Sequence, residues 1–337
     1  GINDLSEITE AGNYYLKRDV TLDATWVCDF DGVNLCLNGK SIIGADGKDV
    51  IRITSRMNMA ITDCNETAGK ITHNDGGTGR GIFINGIFTL WNGNITGNSW
   101  TDTGAGAGVY NFGTFTMNGG TISGNSVSDS SKAGGVYNYY SRDFNLNGGV
   151  ISNNSAPSGS GVYNDGTITM TGGSISDNTG SSYGGGVYNN GTFVMSGGSI
   201  SGNTGANNGG GVYSKGTFTL SGGSISGNSV GNYGGGVSND GTFTMTGGSI
   251  SDNESGAYGG GIYNSSKLFI TRGSVTGNSA RYGGGVYNWK TLNITGGSIT
   301  KNLAAGSLDA RGGGINNSTN GTITMSGNPI ITGNNKG

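Results

Sequence analysis

The chain has 337 residues, of which 72 are glycine, 2 are proline and 12% are charged, and its formal net charge is −3. That charge gives no electrostatic case for nucleic acid or an anionic membrane, and no run reaches the ~20 apolar residues of a membrane-spanning helix. Glycine without a strict Gly-X-Y period excludes collagen, and apolar residues that keep register exclude a flexible linker.

Residues 1–78 carry short alternating runs built on Tyr15, Val20, Leu22, Val33, Leu35, Leu37, Ile51, Ile53 and Ile61, broken at Asn38-Gly39 and Asp46-Gly47. They lack the period seen downstream and read as an N-terminal cap with irregular first coils. All three cysteines fall here. Cys36 and Cys64 are 28 residues apart, near one coil, so a disulfide between them is open. Three cysteines leave one over, however, and buried, idle thiols are the preferred reading. Asp63, Glu66, His73 and Asp75 form the densest polar group, but a single histidine cannot supply a two-histidine metal site. Asp29-Phe30-Asp31-Gly32 is only faintly like a calcium loop. The reading therefore expects no cofactor, no metal and no catalytic residue.

From residue 79 to 337 a glycine cluster runs ten times into an apolar residue: Ile82, Val109, Val136, Val162, Val187, Val212, Val237, Ile262, Val286 and Ile315. The intervals are 24 to 29 residues, with 25 the commonest, which marks one supersecondary unit stacked on copies of itself. Gly184 to Asn203 reads GGGVYNNGTFVMSGGSISGN, three strand-like runs separated by Asn-Gly and Gly-Gly turns. Alternation points Val187, Phe193, Met195 and Ile200 to one side. One coil holds about four such residues, too few for a core, so coils must stack. The predicted fold is all-β: a right-handed, single-stranded parallel β-helix, a three-faced β-solenoid of about 12 coils of about 25 residues, continuous over 79–337.

Two asparagine columns accompany the repeat. One runs from Asn98 through Asn125, Asn203 and Asn228 to Asn334; the other follows the first run, from Asn111 to Asn317, with Ser214 as its exception. Both read as corner residues able to bond one another along the stack. Between residues 144 and 308 the acidic residues are Asp165, Asp177, Asp240, Asp252 and Glu254, all at turns and too scattered for a glycosidase pair. Arg281, Asp309 and Arg311 share a variable turn as a surface charge cluster.

The candidate ligand-binding residues are aromatic. Tyr110, Tyr137, Tyr163, Tyr188, Tyr213, Tyr263 and Tyr287 each follow a first-run Val or Ile, and Tyr183, Tyr233, Tyr258 and Tyr282 lie four residues before one. Stacking turns them into tyrosine rows expected on the exposed outer face. Such rows suit sugar rings or a protein partner, against the preferred reading that strand-prone tyrosines stack on one another there without a ligand.

The motif GGGVYNxGTFTMSGGSISGN resembles the right-handed parallel β-helix repeats of large bacterial surface proteins. It is also similar to the polymorphic outer-membrane protein repeats, whose GGA[IV] and FxxN elements correspond to Gly185-Gly186-Val187 and Ile200 through Asn203, with Ile in place of Phe. The first segment, through Val33-Asn34-Leu35-Cys36-Leu37-Asn38-Gly39, is similar to the lead-in of such proteins from Gram-positive gut bacteria. The resemblance implies export and display at the cell surface, or secretion, as adhesin or stalk. The expected protein is a monomeric, non-enzymatic extracellular module that binds a glycan or host surface protein and inserts into no membrane. The alternative is a polysaccharide-active β-helix enzyme, a lyase or glycoside hydrolase.

Overall fold

The computed structural model describes residues 1–101, 106–128, 132–306 and 309–337. It is a parallel β-solenoid of about 12 turns with almost no helix, in two compact units, Gly1–Ile168 and Thr169–Gly337.

In the second unit each run of the repeat is a short strand hydrogen-bonded to its own counterpart one turn on. Val187 pairs with Val212, Val212 with Val237, Val237 with Ile262 and Ile262 with Val286. The second run does likewise, Phe193 with Phe218 and Phe218 with Phe243, their rings stacked 4.8 and 4.7 Å apart. The third aligns Ile175, Ile200, Ile225 and Ile250. Every one of these side chains is fully buried. Each contributes roughly 1.5–3 kcal/mol by leaving water, and none could do so in a lone turn.

The first unit follows the same scheme, with Val109 on Val136 and Val162, Phe88 on Phe115 and Phe144, and Ile95 on Ile122 and Ile151. Its opening segment also joins these ladders. Gly12–Tyr15 pairs with Val33–Cys36, and Trp26–Cys28 with Ile51–Ile53, which pairs in turn with Ile82–Ile84. Ahead of them a single 3-10 turn, Leu5–Glu7, is capped by the Asp4 carboxylate accepting from the Ser6 amide.

The three expected faces are joined by a fourth ladder between the terminal asparagine and the glycine cluster. It includes Ser99–Trp100 and Ser126–Val127 in the first unit, and Thr204–Gly205, Ser229–Val230 and Glu254–Tyr258 in the second. Most of its strands are two residues long. The glycine cluster that follows has two requirements. Gly209 adopts φ +66°, and a Cβ on Gly211 would lie 2.7 Å from the Gly236 carbonyl oxygen of the next turn. Only glycine lets the backbones approach that closely. Asp177 and Asp252 take the left-handed turn conformation, φ 56° and 55°, that Gly202 and Gly227 hold in other turns.

Both asparagine columns are hydrogen-bonded ladders. The Oδ1 of Asn228 accepts from both the backbone N–H and the Nδ2 of Asn203, at 3.0 Å each. Its own Nδ2 donates to Asn253 Oδ1 and to the Ile200 carbonyl. One amide thus spans three turns with no exposure to water. In the second column Asn239 donates to Asn264 at 2.7 Å and Asn264 to Asn288 at 2.8 Å, while the Ser214 hydroxyl accepts from Asn189.

The cysteines differ from the preferred expectation. Cys36 and Cys64 sit on neighbouring turns with Cα atoms 6.2 Å apart and are joined as a disulfide, and only Cys28 is a free, buried thiol. Stacking brings the first two together, which spacing alone left undecided. Burial, the nearest effect, pushes the Cys28 thiol up to about 11.

Two outcomes follow. Asn228→Ala removes four buried hydrogen bonds (from Asn203 N and Nδ2, and to Asn253 Oδ1 and the Ile200 carbonyl), so urea unfolding should show a loss of about 2–4 kcal/mol. An unchanged midpoint would remove the ladder's stabilising role. Alkylation in denaturant without reductant should label Cys28 alone, and all three cysteines after reduction; three labels in both samples would mean the bridge does not form.

Candidate functional site

The tyrosines that follow the first-run Val or Ile do point away from the solenoid interior, but they are not exposed. Tyr137, Tyr163, Tyr188, Tyr213 and Tyr287 retain 4 to 8% of their surface, and Tyr110 and Tyr263 are half-buried. The expectation of open tyrosine rows is therefore corrected. The cause is the segment ahead of each glycine cluster, which folds back over the row and lays its own side chains on it.

In the second unit that covering row is the other tyrosine set. Backbone bridges align Tyr183, Asn208, Tyr233, Tyr258, Tyr282 and Arg311, one per turn. Tyr233, Tyr258 and Tyr282 stack at 5.4 and 5.2 Å. They meet the inner row edge-on or tilted: Tyr233 lies 4.8 Å from Tyr263, and Tyr258 4.9 Å from Tyr287. Such geometries favour the quadrupoles of both rings beyond their buried area. In the first unit the segment ahead of the glycine cluster lays cations on the row: Arg80 lies over Trp100 and Tyr110, and Lys132 over Tyr163. Arg52, in the inner row itself, lies over Phe83, and at the corner Arg142 lies over Phe112 while Tyr139 meets Tyr110 and Tyr137 edge-on.

Carboxylates tie the layer to the turns. Tyr137 Oη donates to Asp165 at 2.7 Å, and Lys132 reaches the same carboxylate at 3.3 Å. Tyr213 Oη donates to Asp240 at 2.6 Å, and the Ser265 hydroxyl donates to the other Asp240 oxygen. Burial, then the hydrogen bond to the carboxylate, raises both phenols. Asp165 and Asp240 thus each serve as the acceptor for a phenol.

In the polar group near the start of the chain, Asp63 and His73 are hydrogen-bonded to the surrounding turns, and His73 and Asp75 line one cavity of about 430 Å³. Asp63 accepts from the amides of Gly39, Asn65 and Gly69 and closes a turn. His73 stands at the foot of the first ladder, its Nδ1 2.9 Å from Asn98 Oδ1 and its Nε2 3.0 Å from the Lys48 carbonyl. Asp31 accepts from the Asn58 amide. Among the described residues no three His, Cys, Asp or Glu side chains are grouped to hold a metal ion, and no helix is long and apolar enough to cross a membrane.

The aromatic layer opens beside Trp289. A cavity of about 280 Å³ is walled by Tyr233, Tyr258, Tyr263, Tyr287 and Trp289. A second, of about 290 Å³, shares Tyr258, Tyr287 and Trp289 and continues to Arg311 and the segment 316–319. Together they form one cleft, aromatic at one end and polar at the other. Both tyrosine rows stop there: Tyr282 is followed by Arg311, and Tyr287 by Asn316. The turn from Asn317 to Thr322 is two residues longer than that from Asn288 to Thr291, which lifts Ser318 and Thr319 into the wall. Trp289, 38% exposed, occupies the corner position filled by Asp240 and Ser265 in the two preceding turns. It was not among the sequence candidates, although it is the one tryptophan in that column.

Arg281 pairs with Asp309 at 2.6 Å, and Tyr282 Oη donates to the same carboxylate. The surface cluster expected on this turn is thus a paired Arg281–Asp309 with Arg311 standing apart from it. No family profile, curated protein or solved structure matches the chain.

The Tyr263 phenol is pushed up to about 12, chiefly by burial, then by the neighbouring Tyr233 and Asp240. The folded chain therefore keeps this proton above the unfolded value of about 10. Its contribution to stability is complete below that value and is lost as pH rises toward 12. Urea unfolding across this range should show a smaller loss of stability in Tyr263→Phe than in the parent chain; identical slopes would mean the phenol is not held in its neutral form.

Proposed function

We propose that this chain is a non-enzymatic carbohydrate-binding module of an extracellular protein. The solenoid is the scaffold, and the cleft around Trp289 is the binding site. The observation that carries the reading is the aromatic cleft itself, with Tyr233, Tyr258, Tyr263, Tyr287 and Trp289 around about 280 Å³. Flat, apolar ring faces bordered by phenol, amide and hydroxyl groups match the two sides of a sugar, its C–H face and its hydroxyl rim. The buried tyrosines Tyr137, Tyr163, Tyr188 and Tyr213 hold their layer rigid instead of touching ligand, so their truncation would report on packing.

An extracellular setting is supported by the Cys36–Cys64 bridge, since structural disulfides persist in oxidising compartments. It is also in keeping with the resemblance of the repeat to surface-displayed β-helices. Attachment to a bacterial cell as an adhesin or stalk is part of the same proposal.

The test is retention on an immobilised glycan panel, followed by titration of the retained glycans. Trp289→Ala should weaken binding about tenfold or more, the usual scale for losing one stacking ring, while leaving thermal unfolding nearly unchanged because the side chain is partly exposed. A chain that retains no glycan, or a Trp289→Ala variant that binds as tightly as the parent, would remove the proposal.

A further inference from the structure

Arg311 is the row's substitute for a tyrosine, and its surroundings decide what that substitution does. The other strong charges on this turn cancel: Arg281 engages Asp309 through both Nε and Nη2, at 3.2 and 2.6 Å. Asp240, three turns back, is taken up by the Tyr213 and Ser265 hydroxyls. Among the described residues Arg311 has no carboxylate within ion-pair distance, and its side chain is exposed at the cleft. It is the one charged residue in the wall of the 290 Å³ cavity, whose remaining lining is aromatic, amide and hydroxyl. A free guanidinium at the polar end of an aromatic cleft has a fixed planar fork that fits two oxygens of one anion.

We infer that the cleft is selective for an acidic sugar, with a ring on the Tyr287–Trp289 side and the sugar's carboxylate or sulfate on Arg311. The inference rests on the carbohydrate reading and specifies its ligand class. Asn316, whose Nδ2 donates to the Arg311 carbonyl, contributes its amide oxygen to the same wall, and Ser318 and Thr319 contribute hydroxyls to meet those of a sugar. A neutral sugar would occupy the same rings but leave Arg311 to water.

The experiment uses the whole chain and a panel that carries neutral glycans beside acidic counterparts of the same skeleton. Lactose, 3′-sialyllactose, the methyl ester of 3′-sialyllactose and 3′-sulfolactose form one matched set, and uronate-bearing oligosaccharides with their methyl esters form another. The free acid should bind about tenfold or more tightly than its ester, the scale of a charge-assisted hydrogen bond. The advantage should shrink as salt rises. Arg311→Gln, an exposed change that leaves circular dichroism and thermal unfolding unaltered, should erase it while binding of the ester stays the same. The carboxylate and sulfate arms separate the two sources of negative charge, and preference for either supports the inference. Equal binding of acid and ester, or an acid preference that survives Arg311→Gln, overturns it and leaves the carbohydrate reading standing. Failure of every glycan on the panel overturns both.

Discussion

Every turn of this solenoid is bonded to a copy of itself, and the buried asparagine ladder is what makes that pairing specific. Apolar columns alone tolerate a slip, because one Val or Ile above another packs about as well as the next. A buried amide does not. Asn228 must find Asn203 before it, Asn253 after it and the Ile200 carbonyl beside it, all without water. A shifted turn would leave several donors and acceptors empty at a cost of about 1–3 kcal/mol each. Register fixed in this way converts any residue repeated at the period into a column. Phenylalanine becomes a stacked core, glycine a flat strip where backbones meet, and tyrosine an outer aromatic row.

The outer rows show the same constraint acting beyond the interior. Two tyrosines per turn, one on the strand and one on the segment that approaches it, are brought face to edge because neither can slide along the axis. They build a second apolar layer outside the first. Two of its polar tips are held by the turns, where Asp165 accepts from Tyr137 and Asp240 from Tyr213. This is a rigid surface of rings, most of them already in contact with one another, and a ring that is fully stacked has little face left for a ligand.

Periodicity in the sequence reports which face of a strand a residue takes. That is why the core columns, both ladders and the turn glycines could be read from the repeat. It does not report whether another segment lies over that face. Tyr188 and Tyr213 were accordingly expected in the open, and they are covered. The fourth ladder escaped notice because strands such as Thr204–Gly205 and Ser229–Val230 are too short to alternate and differ from turn to turn. Residues 12–73 form coils as well, but their counterparts are spaced unevenly: Gly12 pairs with Val33 and Trp26 with Ile51, while Ile51 pairs with Ile82. Pairing there depends on strand contact, and the lengths of the connecting turns hide it. Trp289 could have been noticed by aligning the residue after each second-column asparagine, a position whose chemistry changes at almost every turn.

A uniform repeat offers the same surface at every turn, so a localised site requires a turn that departs from it. The departure here is coordinated. The interval from Val286 to Ile315 is 29 residues where the five before it are 24 or 25, its extra length lying between Leu303 and Arg311. Two further residues are added after Ile315, between Asn317 and Thr322, so the additions fall on both sides of the aromatic layer. One side brings Arg311 into the covering row and the other brings Ser318 and Thr319 up beside Trp289, while Asn316 takes the place of an inner tyrosine. Each change alone would only interrupt a stack. Together they leave the faces of Tyr287 and Trp289 without a ring from the following turn and set hydrogen-bonding groups at the distance of a neighbouring column. The ladders beneath run on unbroken, with Asn288 donating to Asn317 and Asn302 to Asn334, so the scaffold stays rigid at the point where the surface varies. Variation confined to the outer layer is what allows a solenoid to acquire a ligand site without disturbing the register that keeps it folded.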